Sequence, residues 1–200
     1  MPEYEPNEHT IEYILSSVLG TISAIDASGS ADPRSELDSH ANLVVLGRNT
    51  FIFESTWRTR TVRPFADELG MASNIPIVDG AVAYDCPYSK QTFILIVRNV
   101  LYIRSMEHNL IPPFIMRVGG VIVNDVPKIH CKDPTIDDHC IKFPNCELRI
   151  PLQLIGTFSY FHSRMPTVQE LMIVIKSSSH LMLATGTHTE YLLNVTSVQC

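Results

Sequence analysis

The spacing of apolar positions changes along the chain, and each change predicts a different element. In residues 7–19, Ile11, Ile14, Leu15, Val18 and Leu19 fall at i, i+3, i+4, i+7 and i+8, one face of a 3.6-residue period. Asn7 suits the N-cap, Glu8 and Glu12 suit the positive end of the dipole, and Gly20 suits the stop. The pattern predicts an amphipathic helix. A helix this short is marginal alone, so packing on its own domain is favoured over an arm that docks on a partner. Residues 26–35 are small, polar and breaker-rich and read as a linker.

From 36 to about 161 the helical period gives way to short β-branched runs separated by turn residues. Such runs occupy residues 43–46, 75–78, 81–84, 92–97, 100–103, 121–123 and 148–155. Asp79-Gly80 and the segment from Asp85 to Lys90 read as hairpin punctuation. Pro112-Pro113 opens one short helix reaching Arg117. The composite predicts an all-β domain of many short strands, a barrel or a sandwich. Beyond it, residues 171–175 and 181–183 read as strands around Ser177-Ser178-Ser179. The chain therefore divides into an N-terminal helix and linker at 1–35, a β domain at 36–161, and an extension of unassigned order at 162–200.

Composition fits one domain with flanks. The chain has 200 residues, 45% hydrophobic and only 18% charged, enough to bury a real core and against global disorder. The net charge of −6 is uneven. Residues 1–40 hold eight acids and Arg34, whereas the remainder holds 14 bases and 13 acids. No clustered basic field marks a polyanion surface, and Trp57-Arg58-Thr59-Arg60 reads as a solvated hairpin arm, so no direct nucleic-acid binding is expected. The acidic start is unlike a secretory signal, and no apolar run approaches the ~20 residues of a membrane span. A cytoplasmic, reducing setting is the expectation, with five cysteines as thiols. Asn194-Val195-Thr196 carries no weight without a secretory route.

The candidate chemistry sits in Glu36-Leu37-Asp38-Ser39-His40-Ala41-Asn42. An acid closes an apolar approach and is followed by a hydroxyl residue, an alanine and a strand. Two carboxylates brought together share one proton, because like charges a few ångströms apart cannot both ionise. One then acts as base towards a water and the other as acid towards a carbonyl. A Ser-His-Asp relay is excluded, since adjacent strand residues point to opposite faces. His130, Cys131, His139, Cys140 and Cys146 lack the close pairing of structural zinc sites, so no metal or other cofactor is expected.

The turn resembles the apolar-Asp-Ser/Thr-Gly-Ala motif of aspartic proteases. Val100-Leu101-Tyr102-Ile103 followed by Glu107-His108-Asn109-Leu110-Ile111 resembles the segment that closes the protease region of copia-type LTR retrotransposon polyproteins. The resemblance covers residues 36–118 and implies a retropepsin-like closed barrel with a flap hairpin. It implies Asp38 as the catalytic aspartate, Ser39, His40 and Ala41 as turn-supporting residues, and Asn109, Leu110 and Ile111 as core support. The flap tip would be Phe65, Ala66, Asp67, Glu68, Leu69 and Gly70. One motif in a chain this short implies a homodimer giving one Asp per chain, acting on a peptide or polyprotein, inside a virus-like particle if the element is active. His40 departs from the family's glycine. Hence the alternative is an inactive retropepsin-like remnant or a binding module.

Overall fold

The computed structural model describes residues 12–13, 32–63, 70–144, 146, 148–178 and 193–198. The chain is predominantly β, in two sheets. The strands are β1 (Glu12–Tyr13), β2 (Arg34–Leu37), β3 (Val45–Leu46), β4 (Phe51–Arg63), β5 (Ala72–Asp85), β6 (Thr92–Tyr102) and β7 (Asn109–Ile111). After helix α1 (Pro113–Val118) come β8 (Ile122–Asn124), β9 (Cys140–Phe143), β10 (Leu148–Pro151), β11 (Gln153–Ile155) and β12 (Phe158–His162). Helix α2 (Val168–Ser178) and β13 (Leu193–Val198) complete the order.

The large sheet runs β1-β4-β5-β6-β3-β7-β2-β12-β11, with β13 pairing β6 beside β3. The expected closed barrel is not formed. The end strands β1 and β11 do not pair with each other, and β8, β9 and β10 form a separate antiparallel sheet. The main core fills the space between the two sheets. Leu37, Leu46, Val82, Leu95 and Ile111 of the large sheet meet Ile141, Phe143 and Ile150 of the small one, with Met116 of α1 among them.

Two breaks in periodicity read as turns are bulged, continuous strand. β5 passes straight through Asp79-Gly80, and β6 joins the two runs expected at 92–97 and 100–103. Between the pairs Val78↔Val100 and Gly80↔Val97, β6 carries one extra residue, and Asn99 takes φ 56 there. That insertion brings Val97 and Val100 onto the same core despite their odd spacing. Asp79 satisfies the bulge by accepting from Asn99 N–H at 2.8 Å and from Arg98 at 2.9 Å. Gly80 is required by packing, because a Cβ there would stand 2.7 Å from Leu46 Cδ1.

Glu12 and Tyr13, within the segment expected as helix, form a strand instead, because the edge of β4 offers ladder partners to them. The rest of 7–19 lies outside the described residues. Residues 171–175, expected as strand, belong to α2. Its start is a capping box: Thr167 Oγ1 accepts from Glu170 N–H at 3.3 Å, and Glu170 Oε2 accepts from Thr167 N–H at 2.7 Å. Leu171 then packs on Ala81, Ala83 and Ile94, where two alanines leave room for the helix. The expected strand at 181–183 also lies outside the described residues. Among the described residues no helix is long and apolar enough to cross a membrane.

Candidate active site

Asp38 follows β2 directly, and its placement follows from how the flanking strands pair. β2 runs parallel to β7, with Leu37 opposite Ile111. β3 lies on the other side of β7, antiparallel, with Val45 opposite Leu110. The chain from Asp38 to Val44 therefore crosses the end of β7. Asp38 N–H donates to Ile111 O at 3.2 Å, closing the near side of that crossing. Leu101 N–H to Val44 O and Ile103 N–H to Leu46 O, at 3.0 and 2.9 Å, fix the far side to β6.

Asn109 ties both ends of the crossing together. Its Oδ1 accepts from Gly47 N–H at 2.8 Å and from Thr50 Oγ1 at 2.9 Å. Its Nδ2 donates to Ser35 Oγ at 3.2 Å, and Ser35 Oγ also bonds Ser163 Oγ at 2.8 Å. Asn109, Ser35, Thr50 and Ser163 are all buried. Gly47 belongs to the clamp, because a Cβ would approach Met106 O at 2.6 Å and His108 O at 2.8 Å. Leu110 and Ile111 are buried on opposite faces of β7, in different core clusters.

The Asp38 side chain is 3% exposed. Its Oδ1 accepts from His40 N–H at 2.9 Å, an Asx-type closure that holds the carboxylate against its own turn. His40 does not take a positive φ, so the turn is reached without the backbone that glycine would favour. The His40 ring is 72% exposed, with Nδ1 3.9 Å from Asp38 Oδ1 and 3.4 Å from Ser39 Oγ. Ser39 and His40 thus face solvent, while Ala41 is buried. Of the expected flap tip only Gly70 is described, exposed and at φ 71. Phe65, Ala66, Asp67, Glu68 and Leu69 lie outside the described residues. β4 and β5 form the two arms leading to them, down to the pair Val62↔Ala72.

A second polar group lies beside this turn, and the sequence pattern did not single it out. Glu36, 2% exposed, accepts from Arg34 Nε at 2.7 Å through Oε1. Among the described residues its Oε2 has no hydrogen-bond partner, and neither has Nδ1 of buried His108. Burial first, then the charges of Arg34 and Arg48, push the His108 pKa down to about 4, so its imidazole is neutral at physiological pH. The available signal was alternation along β2, which puts Glu36 and Asp38 on one face and Ser35 and Leu37 on the other. His139 and Cys140 are engaged elsewhere, with Ser159 Oγ at 2.8 Å and Asp137 O at 3.0 Å. Among the described residues no group of three or more His, Cys, Asp or Glu is placed to hold a metal ion.

No family model matches this chain, and neither the curated proteins nor the solved structures contain a match to it.

Proposed function

We propose that the chain is a retropepsin-like aspartic endopeptidase of the retrotransposon, polyprotein-processing kind, working as a homodimer in which each chain gives Asp38. One observation carries the reading: Asp38 stands on a turn that crosses the end of β7 and is clamped on both sides by Asn109. Its carboxylate is held by the N–H two residues on. A carboxylate fixed by backbone can meet its twin with little reorganisation. The pair then shares one proton, the ionised member taking a proton from water as it attacks the peptide carbonyl, the protonated member donating to the carbonyl oxygen. Both roles need two chains. The hairpin of β4 and β5 would supply the closing flap in this reading.

A second reading has its own observation. The Asp38 side chain is 3% exposed, and residue 40 is a histidine whose ring lies 3.9 Å from the carboxylate. Both favour a retropepsin-like scaffold that binds without cutting. Cleavage of an apolar-rich peptide at mildly acidic pH, by wild type and Asp38→Asn, separates the two. Cutting that is lost in the variant supports the enzyme, cutting retained in the variant refutes it, and cutting by neither supports the binding module.

A further inference from the structure

Among the described residues the outer edge of β4 is paired only at Val62 and Arg63, by β1, and the residues along that edge are not those of an ordinary protected edge. β4 is thirteen residues long and mostly exposed. It carries Arg58, Arg60 and Arg63 against a single acid, Glu54. Among the described residues none of these three arginines forms a salt bridge. The buried Nε of Arg63 has no hydrogen-bond partner among them. Trp57 stands 92% exposed in a left-handed bulge at φ 59. Proteins usually blunt a long edge by charge, by bulges or by a cover. Here the three arginines have no carboxylate partner among the described residues; Arg58 donates to Asn99 Oδ1 and Arg63 to Met71 Sδ.

The complement lies in the same chain. Residues 1–31 hold Glu3, Glu5, Glu8, Glu12 and Asp26 and no Lys or Arg. The one contact described for this region is β1, parallel to β4 with Glu12 opposite Val62 and Tyr13 opposite Arg63. We propose that the outer edge of β4 is a docking strip for an extended acidic segment, and that its occupant is this chain's own residues 7–13, in the register that Glu12 and Tyr13 begin. Continued towards the start of the chain, that register would set His9 opposite Thr59 and Thr10 opposite Arg60, and would bring Glu8 to the bulge that carries Arg58. A segment extended in that register would alternate so that its acids share the strand face of Arg60. The extra residue in the β4–β5 ladder after Arg60 belongs to β5, so β4 alternates regularly from Thr59 to Arg63, whereas the irregularity between Ser55 and Thr59 lies on β4 itself and contains Arg58. The segment would cover the open edge and hold the first arm of the hairpin, sensitively to ionic strength because the charges are exposed. The inference is independent of the role assigned to Asp38.

The test is engineered disulfide capture in the full chain. His9→Cys with Thr59→Cys is the in-register pair and leaves every charge in place. His9→Cys with Ser55→Cys is the displaced control. After mild oxidation, mass spectrometry maps the bonds formed. The in-register pair should close within one chain about tenfold faster than the control, the advantage of a held neighbour over a loose tether. Raising the salt from about 0.05 to about 0.5 M, or adding Arg58→Glu and Arg60→Glu, should slow it several-fold. Equal rates for the two pairs would overturn the proposal. So would bonds found only between chains, which would mean a second copy supplies the strand, and so would closure that ignores both salt and charge reversal.

Discussion

Replacing Asn109 by leucine removes the clamp around the Asp38 turn without leaving a large cavity. Three hydrogen bonds go: those from Gly47 N–H and Thr50 Oγ1, and the one to Ser35 Oγ. All of the side chains involved are buried, so the abandoned groups have little water to turn to. Each unmatched buried group costs about 1–3 kcal/mol. Thr50 and Ser35 regain part by rotating their hydroxyls, and the leucine side chain returns some burial energy, which leaves a net loss of about 4 kcal/mol. Urea unfolding followed by far-ultraviolet circular dichroism measures it, with the midpoint moving and the slope unchanged. Asn109→Asp is the discriminating control. Burial raises the pKa of a carboxyl placed there, and in its protonated form it reproduces one donor and one acceptor. The folded variant then binds a proton that the unfolded chain releases, so its deficit shrinks as pH falls from neutral towards 5. A loss below about 1 kcal/mol for Asn109→Leu, the size of an ordinary surface change, would refute the clamp.

Gly47→Ala forces a Cβ to within 2.6 Å of Met106 O, and a clash with backbone should cost about 2–3 kcal/mol in the same assay, whereas Gly70→Ala, which meets nothing within 4 Å, should cost about 1 kcal/mol or less from its positive φ. His108 is held neutral in the fold, with its pKa pushed down to about 4. Well above pH 6.5 it contributes no pH dependence; below that the unfolded chain takes up the proton first, so stability falls between pH 6.5 and 4 by about 3 kcal/mol, and His108→Phe should flatten that part of a melting-temperature profile. Arg164 donates to Asp85 and to Glu170 and holds both carboxyls below the usual carboxylate range. Arg164→Met should cost about 1 kcal/mol, because the group is partly exposed, and should speed proteolysis at α2; unchanged proteolysis would mean that other contacts hold the helix.

What was legible in the sequence was the β character and the strand endings set by local chemistry. Pro112-Pro113 marks the start of α1 because proline fits a first helical turn. Thr167 and Glu170 spell a capping box, which the β-branched texture of residues 173–175 masked when read alone. Asp79-Gly80 misled because turn residues also serve where another strand approaches closely, and only Leu46 and Thr50 packed against Gly80 reveal that need. Around Asp38 the acid and its hydroxyl neighbour were visible. Ser35, Gly47, Thr50 and Ser163 were not, since they meet through Asn109 and, for Ser163, through Ser35, from positions up to 128 residues apart. No periodicity encodes a contact of that range. The open sheet was equally hidden, because closure depends on which strands end the order and not on any strand's own residues.

Peptide cleavage by wild type and Asp38→Asn is the most direct test of the central claim. An apolar-rich peptide is incubated with each protein at mildly acidic pH, and fragments are quantified by mass spectrometry. The wild type should cleave the peptide internally, the variant should lose at least about 100-fold of that activity, and a statine-type mimic should inhibit the wild type. Equal cleavage by the two proteins, with no response to the mimic, would contradict it.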